Sequence, residues 1–127
     1  MKIKDIINEQ LVKLTDLYDD HELNDESEAM YNFIDDDDLE RDFEVHTMSP
    51  KRASTVTTHA NDATIYQAYK DFATREAKNI LDDKIKHWDA NRIVVLMNNT
   101  LLDGNHHLVA GINAGKPIKY IDLAEYI

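Results

Sequence analysis

Apolar residues recur every three or four positions near the start of the chain, at Ile3, Ile6, Ile7, Leu11, Leu14, Leu17 and Tyr18. This spacing places them on one stripe of an α-helix of about four turns. A stripe of this kind is typical of a helix that packs on a core or on a partner. We therefore predict an amphipathic N-terminal helix over residues 1–18.

The following segment is polar and acidic. A connection over residues 19–28 is predicted to lead into a short helix with the apolar residues Ala29, Met30, Phe33 and Ile34. The run Asp35–Asp38 lacks the glycine and the alternating spacing of an EF-hand calcium loop. We interpret it as a helix stop and as the N-cap of a short helix over Leu39–Phe43, not as a metal site.

The middle of the chain is predicted to contain a turn, a strand and a long helix. Ser49–Arg52 has the composition of a turn, and Ser54–Thr58 is rich in β-branched residues, which favours a strand. A long helix, capped by Asn61 or Asp62, is then predicted over residues 62–88. The residues predicted to form its buried side are Ile65, Tyr69, Phe72, Ala73, Ala77, Ile80, Leu81, Ile85 and Trp88.

The last third has the clearest pattern. It predicts a buried strand over Arg92–Met97, a two-residue turn at Asn98-Asn99 and a returning strand at Thr100–Leu102. A helix from Asn105 to Gly115 and a strand over Ile118–Leu123 follow. Together these elements predict one α+β domain over residues 1–127, with a small mixed sheet packed by the long central helix and the N-terminal helix.

Composition limits the class of protein. The 127 residues are 43% hydrophobic and include no cysteine, which excludes disulfides and cysteine-based zinc sites. No apolar run is long enough to cross a membrane, and the N-terminus, which is amphipathic and contains acidic residues, does not resemble a signal peptide. We therefore expect a cytoplasmic protein, in the host cytoplasm if the chain is encoded by a phage, without membrane attachment.

The net charge of −11 is concentrated in one segment. Residues 19–44 contain thirteen acidic residues and one basic residue, whereas residues 45–127 have a net charge of +1. This acidic segment either keeps the protein soluble or binds a basic protein partner, for instance as a mimic of DNA. The charge disfavours direct DNA binding, which needs clustered Lys and Arg.

The turn at Asp103-Gly104 carries the candidate chemistry. Gly104 permits backbone angles that other residues avoid, and the next helix begins with Asn105, His106 and His107. Unpaired N–H groups at a helix N-terminus attract phosphate or carboxylate groups. Asp103 could hold a ribose hydroxyl or Mg²⁺, or could cap the helix. Because adjacent histidines point to different helix faces, a zinc site formed by the pair is disfavoured.

Five further residues could assist an anion site or could simply form a surface loop that enters an edge strand. They are Lys51, Arg52, Thr57, Thr58 and His59.

The segments Ile93–Leu96, Leu102–Ala110 and Gly115–Ile121 together resemble the ParB/sulfiredoxin superfamily. Many of its members have a hairpin, an Asp-Gly-x-His-Arg type turn, a helix, a glycine and a strand in this order. The resemblance covers about 35 residues. It implies a small α+β nucleotide-binding fold whose turn holds the phosphates of a nucleotide diphosphate or triphosphate, with Mg²⁺. Members include a CTP-hydrolysing DNA-partition protein, an ATP-using sulfinic acid reductase and a free-serine kinase, and phage and plasmid chains of this type are often labelled ParB-like nucleases.

The chain departs from this family pattern in three ways. Asn105 stands where sulfiredoxins have their reactive cysteine, which excludes that reductase chemistry. His107 replaces the usual Arg and is mostly uncharged near neutral pH. The first strand and polar loop of the family are replaced by the N-terminal helix and the acidic segment, so a binding loop would have to be rebuilt from residues 45–59.

Three functions therefore remain open. The first is nucleotide or phosphate binding, with or without phosphotransfer or nucleotide hydrolysis, in a phage or mobile-element protein. The second is a non-catalytic acidic binding protein that contacts a basic protein, as a DNA mimic or inhibitor of a host enzyme would, or contacts a second copy of itself. The third is a ParB-like nuclease, which the charge pattern disfavours. The turn also suggests Gly104→Val as a variant that would abolish ligand binding and leave the protein folded.

Overall fold

A computed structural model describes residues 10–17, 39–58, 63–72 and 74–126 of the protein. The strands are β1 (Leu11–Val12), β2 (Phe43–Glu44), β3 (His46–Met48), β4 (Thr57–Thr58), β5 (Ile93–Met97), β6 (Thr100–Asp103) and β7 (Ile118–Asp122). The helices are α1 (Leu14–Leu17), α2 (Pro50–Ala53), α3 (Ile65–Phe72), α4 (Arg75–Lys86), α5 (Asn105–Ala114) and a 3₁₀ helix (Leu123–Tyr126). The predicted α+β class is confirmed.

Strand β5 lies at the centre of a five-stranded sheet with the order β3-β7-β5-β6-β4. It pairs antiparallel with β6 and parallel with β7. Val94 and Leu96 face the core formed with helices α2 to α5, whereas Ile93 and Val95 face a second core beneath β1, α1 and β2. Because both faces of β5 are covered, its sequence is a continuous apolar run instead of an alternating one.

The C-terminal unit agrees with the pattern in its sequence. Asn98 has a φ of 58° in the turn between β5 and β6, which asparagine tolerates. Helix α5 then crosses over β5 and delivers β7 to the other side of that strand. It ends at Gly115, whose φ of 67° is the left-handed conformation common after the last helical turn.

The prediction of one helix over residues 1–18 is wrong where the structure describes this segment. Leu11 and Val12 form a strand that pairs with β2, and only Leu14–Leu17 is helical. The strand alternation buries Val12, which was not in the helical stripe, and leaves Leu11 56% exposed. Pairing with Phe43 and Glu44 therefore overrides the helical spacing.

Two further local predictions are corrected. Leu39 and Glu40 form a single 3₁₀ turn, and Phe43 lies in β2, so no helix spans Leu39–Phe43. Ser49–Arg52 is not a turn but the start of α2, because the Ser49 side chain accepts a hydrogen bond from the Arg52 N–H. The strand predicted at Ser54–Thr58 is limited to Thr57–Thr58.

Several predictions concern residues outside the described part of the chain. These include the helix around residues 29–34, the run Asp35–Asp38, most of the acidic segment over residues 19–44, and the cap at Asn61 or Asp62. Among the described residues, no helix has both the length and the apolar character needed to cross a membrane.

The long helix predicted over residues 62–88 is two helices, α3 and α4. The break is explained by Thr74, which has extended backbone angles and accepts a hydrogen bond from the Ala77 N–H at 3.1 Å. Leu81 is buried as predicted, but Ile80 is 39% exposed and lies off the buried side. The apolar residues keep their helical spacing on both sides of Thr74, so this spacing did not reveal that Thr74 caps a second helix.

We expect Thr74→Ala to lower the free energy of unfolding by about 1 kcal/mol, because the Ala77 N–H loses its acceptor at the start of α4. Chemical denaturation of the purified protein would measure the change. Thr74→Ser, which retains the hydroxyl group, is the matched control and should remain within a few tenths of a kcal/mol of the wild type. Equal losses in both variants would contradict the role of the cap.

Candidate functional site

An open cleft of about 300 Å³ lies at the N-terminus of α5. Residues from three elements line it. They are Lys84, Arg92, Leu102, Asp103, Gly104, Asn105, His106 and His107. The structure therefore brings all five residues of the predicted Asp103–His107 turn to one cleft, together with two basic residues from outside it.

Gly104 is required at the turn for two reasons. Its φ of 111° is strained for any residue with a side chain. A Cβ atom at this position would also lie 2.4 Å from Val94 Cγ1 and 2.8 Å from Val94 Cβ. The absence of a side chain thus lets the chain pass directly over β5 as it enters α5.

Helix α5 directs its N-terminal N–H groups at this cleft. The first bond of the helical ladder runs from the Leu108 N–H to the Gly104 carbonyl at 2.9 Å. By helix geometry, the N–H groups of Asn105, His106 and His107 precede that ladder and have no acceptor within the helix. Ten residues of helix add their dipole, so the cleft favours an anionic group at this end.

Gly104 occupies the N-cap position of α5 and has no side chain that could cap the helix. Asp103 accepts a hydrogen bond from the Arg92 guanidinium at 3.1 Å. Arg92 also donates to the Ile93 carbonyl at 2.8 Å, so its position at the edge of the cleft is fixed from two directions. An Asp103 carboxylate paired in this way is less available to Mg²⁺.

The His107 ring is part of the core. It is 4% exposed and stacks on Trp88, with ring centroids 4.2 Å apart and an angle of 14° between the planes. Burial and, to a smaller extent, the positive charges of Arg92 and Lys84 lower the pKa of His107 to about 4. The ring is therefore neutral at pH 7 and contributes packing, while its N–H group belongs to the first turn of α5.

His106 lies between two clefts. Besides the first, it lines a neighbouring cleft of about 270 Å³ with a mainly apolar wall, and Asn105 is likewise shared by both. The other residues of this second cleft are Thr58, Ile65, Ala68, Tyr69 and Ala77. Tyr69 meets the His106 ring edge-on at 6.1 Å and donates from its hydroxyl to the Ala77 carbonyl at 2.6 Å. A polar cleft and an apolar cleft thus adjoin at His106.

The five accessory candidates are not gathered at this site. Only Thr58 lines one of the two clefts. Arg52 approaches Asn99 and Tyr120 at 3.5 Å, and Thr57 bonds to the Asn99 carbonyl. Because Asn99 lies four residues before Asp103 along β6, these groups are about 13 Å from the turn. Lys51 is exposed on α2, away from both clefts, and His59 lies outside the described residues.

Sequence reasoning missed Arg92 and Lys84. Arg92 precedes a buried strand and was assigned to that strand, and Lys84 was one of several basic residues on the outer side of a helix. One signal could have found Arg92: it immediately precedes β5, whose antiparallel pairing with β6 sets Val95 opposite Asp103, so the start of β5 lies near the end of β6.

No protein-family model, curated protein or solved structure matches this chain. Evidence for a function therefore comes from the geometry of the two clefts.

Proposed function

We propose that the cleft at the N-terminus of α5 binds the phosphate groups of a nucleotide. The observation that supports this most directly is the meeting of three kinds of anion-binding group at one cleft: N–H groups of the first helical turn, the guanidinium of Arg92 and the ammonium of Lys84. Each attracts phosphate by itself, and arginine adds two donors in a plane that matches phosphate oxygens.

The charge balance of the cleft supports an anionic ligand. Arg92 and Lys84 contribute two positive charges and Asp103 one negative charge, so the lining has a net charge of +1 with the neutral His107. The chain as a whole has a net charge of −11. A positive cleft on such an acidic protein is a local feature, and it attracts anions in spite of the overall charge.

The second cleft supports a ligand with an organic part rather than free phosphate. Its apolar wall begins where the polar cleft ends, at Asn105 and His106. A nucleotide has this division of chemistry, with charged phosphates at one end and a flat base at the other. We propose that the base or the ribose contacts Tyr69 and Ala68 while the phosphates lie against α5.

On this proposal the chain is a ParB/sulfiredoxin-like protein in which the positive charge that binds phosphate comes from residues outside the family turn. The usual Arg of the family turn is replaced by His107, which is buried and neutral. Arg92, just before β5, and Lys84, on α4, supply positive charge to the same cleft. The proposal concerns binding. Hydrolysis or phosphotransfer would in addition need an acceptor held in line with the terminal phosphate, and usually Mg²⁺.

A thermal-shift screen tests the proposal. The purified protein is combined with pyrophosphate, ATP, CTP and GTP, each with and without Mg²⁺. A ligand at 100 times its Kd should stabilise the fold by about 2.7 kcal/mol. We expect stabilisation by at least one nucleotide, and less by pyrophosphate, which cannot occupy the apolar cleft. If no nucleotide raises the melting temperature, the proposal is wrong.

We expect Arg92→Gln to weaken binding of that nucleotide by about 10- to 100-fold, because a hydrogen bond to a charged group contributes about 1.5–3 kcal/mol. Isothermal titration calorimetry measures the change. Arg52→Gln is the matched control: it removes the same charge about 13 Å from the turn and should leave affinity within about twofold.

A second variant separates direct contact from general charge. Arg92→Gln with Asp103→Asn retains the net charge of +1 in the cleft, now from Lys84 alone. If Arg92 contacts the phosphates, this double variant stays weak. Recovery of full affinity would show that only the net charge of the cleft matters, and equal losses in the Arg92 and Arg52 variants would place the site elsewhere.

A further inference from the structure

Three metal-ligating side chains converge beside β3, the strand at one edge of the five-stranded sheet. Glu44, His46 and Glu125 each present one ligand atom, and these three atoms all lie within 4.8 Å of one another. This edge is three strands away from β6, roughly 14 Å at the usual strand spacing of about 4.8 Å. The group is therefore separate from the proposed nucleotide site.

The backbone places Glu44 and His46 side by side. Residues 43–48 are largely extended, and alternate residues of an extended chain point to the same side. Strand β2 pairs with β1, which places Glu44 opposite Leu11. Strand β3 pairs with β7, which places His46 opposite Tyr120. Pairing of both strands thus holds the two side chains in position.

The 3₁₀ helix Leu123–Tyr126 brings Glu125 to the same place. The Asp122 carboxylate accepts hydrogen bonds from the Asn98 N–H at 3.0 Å and the Ala124 N–H at 2.9 Å. Leu123 is fully buried in the second core. These contacts fix the start of the helix. Glu125 is thereby held in hydrogen-bond contact with His46, which lies 79 residues earlier in the sequence.

The imidazole is oriented from two sides. His46 Nε2 is hydrogen-bonded to the Glu125 carboxylate, and the ring lies against Tyr120 with centroids 5.4 Å apart. Glu44 adds a second carboxylate and, within the described part of the chain, has no ion pair or side-chain hydrogen bond. Two carboxylates beside one imidazole therefore carry more negative charge than the imidazole can neutralise.

We propose that Glu44, His46 and Glu125 bind one divalent transition-metal ion, with Zn²⁺ the best match. One imidazole nitrogen and two carboxylate oxygens form a donor set that suits this class of ion, whereas Ca²⁺ and Mg²⁺ take oxygen ligands. The ion takes the place of the proton between His46 and Glu125. Three protein ligands leave a fourth position for water.

The site can close on an ion by small side-chain rotations. At zinc bond lengths, neighbouring ligand atoms are about 3.4 Å apart. Separations of up to 4.8 Å must therefore shrink by as much as about 1.4 Å, and the hydrogen-bonded atoms of His46 and Glu125 must move apart. The side chains of His46 and Glu125 are each about one-third exposed, which permits that movement and admits the ion from solvent. A bound ion would then tie the C-terminal 3₁₀ helix to β2 and β3.

Isothermal titration calorimetry of the full chain with Zn²⁺, in buffer without chelator, tests the proposal. We expect one ion per chain and a higher melting temperature with Zn²⁺. His46→Ala and Glu125→Gln should each weaken binding by at least about 10-fold, since the loss even of a supporting residue near a metal costs 10- to 100-fold. Replacement by Co²⁺ should produce visible absorption bands that both variants lose.

His87→Ala is the matched control, because His87 is exposed and lies 3.8 Å from Asp83, which makes it the rival histidine–carboxylate pair. It should retain full affinity. The proposal is overturned if the chain binds no stoichiometric Zn²⁺, if His46→Ala binds as tightly as the wild type, or if affinity is lost in His87→Ala instead. Glu125→Gln, at a partly exposed position, keeps the test valid if His46→Ala fails to fold, and circular dichroism verifies the fold of each variant.

Discussion

Gly104→Ala is expected to lower the free energy of unfolding by about 2–5 kcal/mol. A left-handed backbone costs a residue with a side chain about 1–2 kcal/mol. The new Cβ would in addition meet Val94 Cγ1 at 2.4 Å, and overpacking of this kind costs about 1–3 kcal/mol. Because Val94 is buried in the central strand, it has little room to move. Urea denaturation with and without the substitution would measure the loss.

Gly115→Ala is the matched control for this experiment. Gly115 also has a left-handed backbone, with φ of 67°, but a Cβ there would have no atom within 4 Å. Only the backbone cost of about 1–2 kcal/mol should appear. If the two variants lose equal stability, the Val94 contact has no effect and the turn lies further from β5 than the structure indicates.

This result also corrects an expectation from the sequence. The pattern suggested that Gly104→Val would abolish ligand binding in a folded protein. The Val94 contact instead makes any side chain at this position a folding defect, so lost binding in that variant would say nothing about the ligand. Arg92→Gln is the better test, because the Arg92 side chain lies at the edge of the cleft and not in the core.

The second large effect is a loss of stability between about pH 6.5 and pH 4 that depends on His107. Burial on Trp88 lowers the pKa of His107 to about 4 from an ordinary value of 6.5. The unfolded chain therefore binds a proton at a higher pH than the folded chain does. Above pH 6.5 the neutral ring makes its full contribution to the free energy of unfolding. This contribution is lost as the pH falls toward 4, which lowers the free energy of unfolding by about 2–4 kcal/mol.

Denaturation curves at several pH values, for the wild type and for His107→Phe, would measure this contribution. Phenylalanine can stack on Trp88 but does not titrate, so the variant should lose about 2–4 kcal/mol less than the wild type over this range. Other histidines and the carboxylates titrate in both proteins and cancel in the comparison. If the free energy of unfolding changes with pH by the same amount in the two proteins, the conclusion that His107 is buried and neutral is wrong.

The two proposed sites lie at different strands of the sheet. The nucleotide cleft lies where β6 leads into α5, and the metal group lies on β3, with β7 and β5 between them. Their tests are independent, because the variants of one site contain no residue of the other. Failure of nucleotide binding would leave the metal proposal intact, and the reverse is also true.

The C-terminal third could be predicted because its signals are local. A continuous apolar run marks β5, Asn98 permits the left-handed turn, and Gly104 and Gly115 mark the two ends of α5. Each of these signals depends on one or two residues and their immediate neighbours. The succession of elements along this part of the chain, with the turn at Asp103–His107, therefore followed from the sequence.

The N-terminal part could not be predicted in the same way. The spacing of Leu11, Leu14 and Leu17 fits a helix, yet Leu11 lies in a strand because β2, more than thirty residues later, pairs with it. Local propensity is weak compared with such pairing. The division of the long helix at Thr74 was hidden for a similar reason, since a single capping hydroxyl group interrupts a continuous helical spacing.

The chemistry of the candidate sites depended most on tertiary structure. Local spacing identified Gly104 and the helix N-terminus, but the ion pair of Arg92 with Asp103 and the approach of Lys84 from α4 appear only in the tertiary structure. Only the packing of α5 placed His107 on Trp88, which decides that the ring is neutral. The reason is physical: backbone angles are set by neighbouring residues, whereas charge, burial and metal geometry are set by side chains that meet across long stretches of sequence.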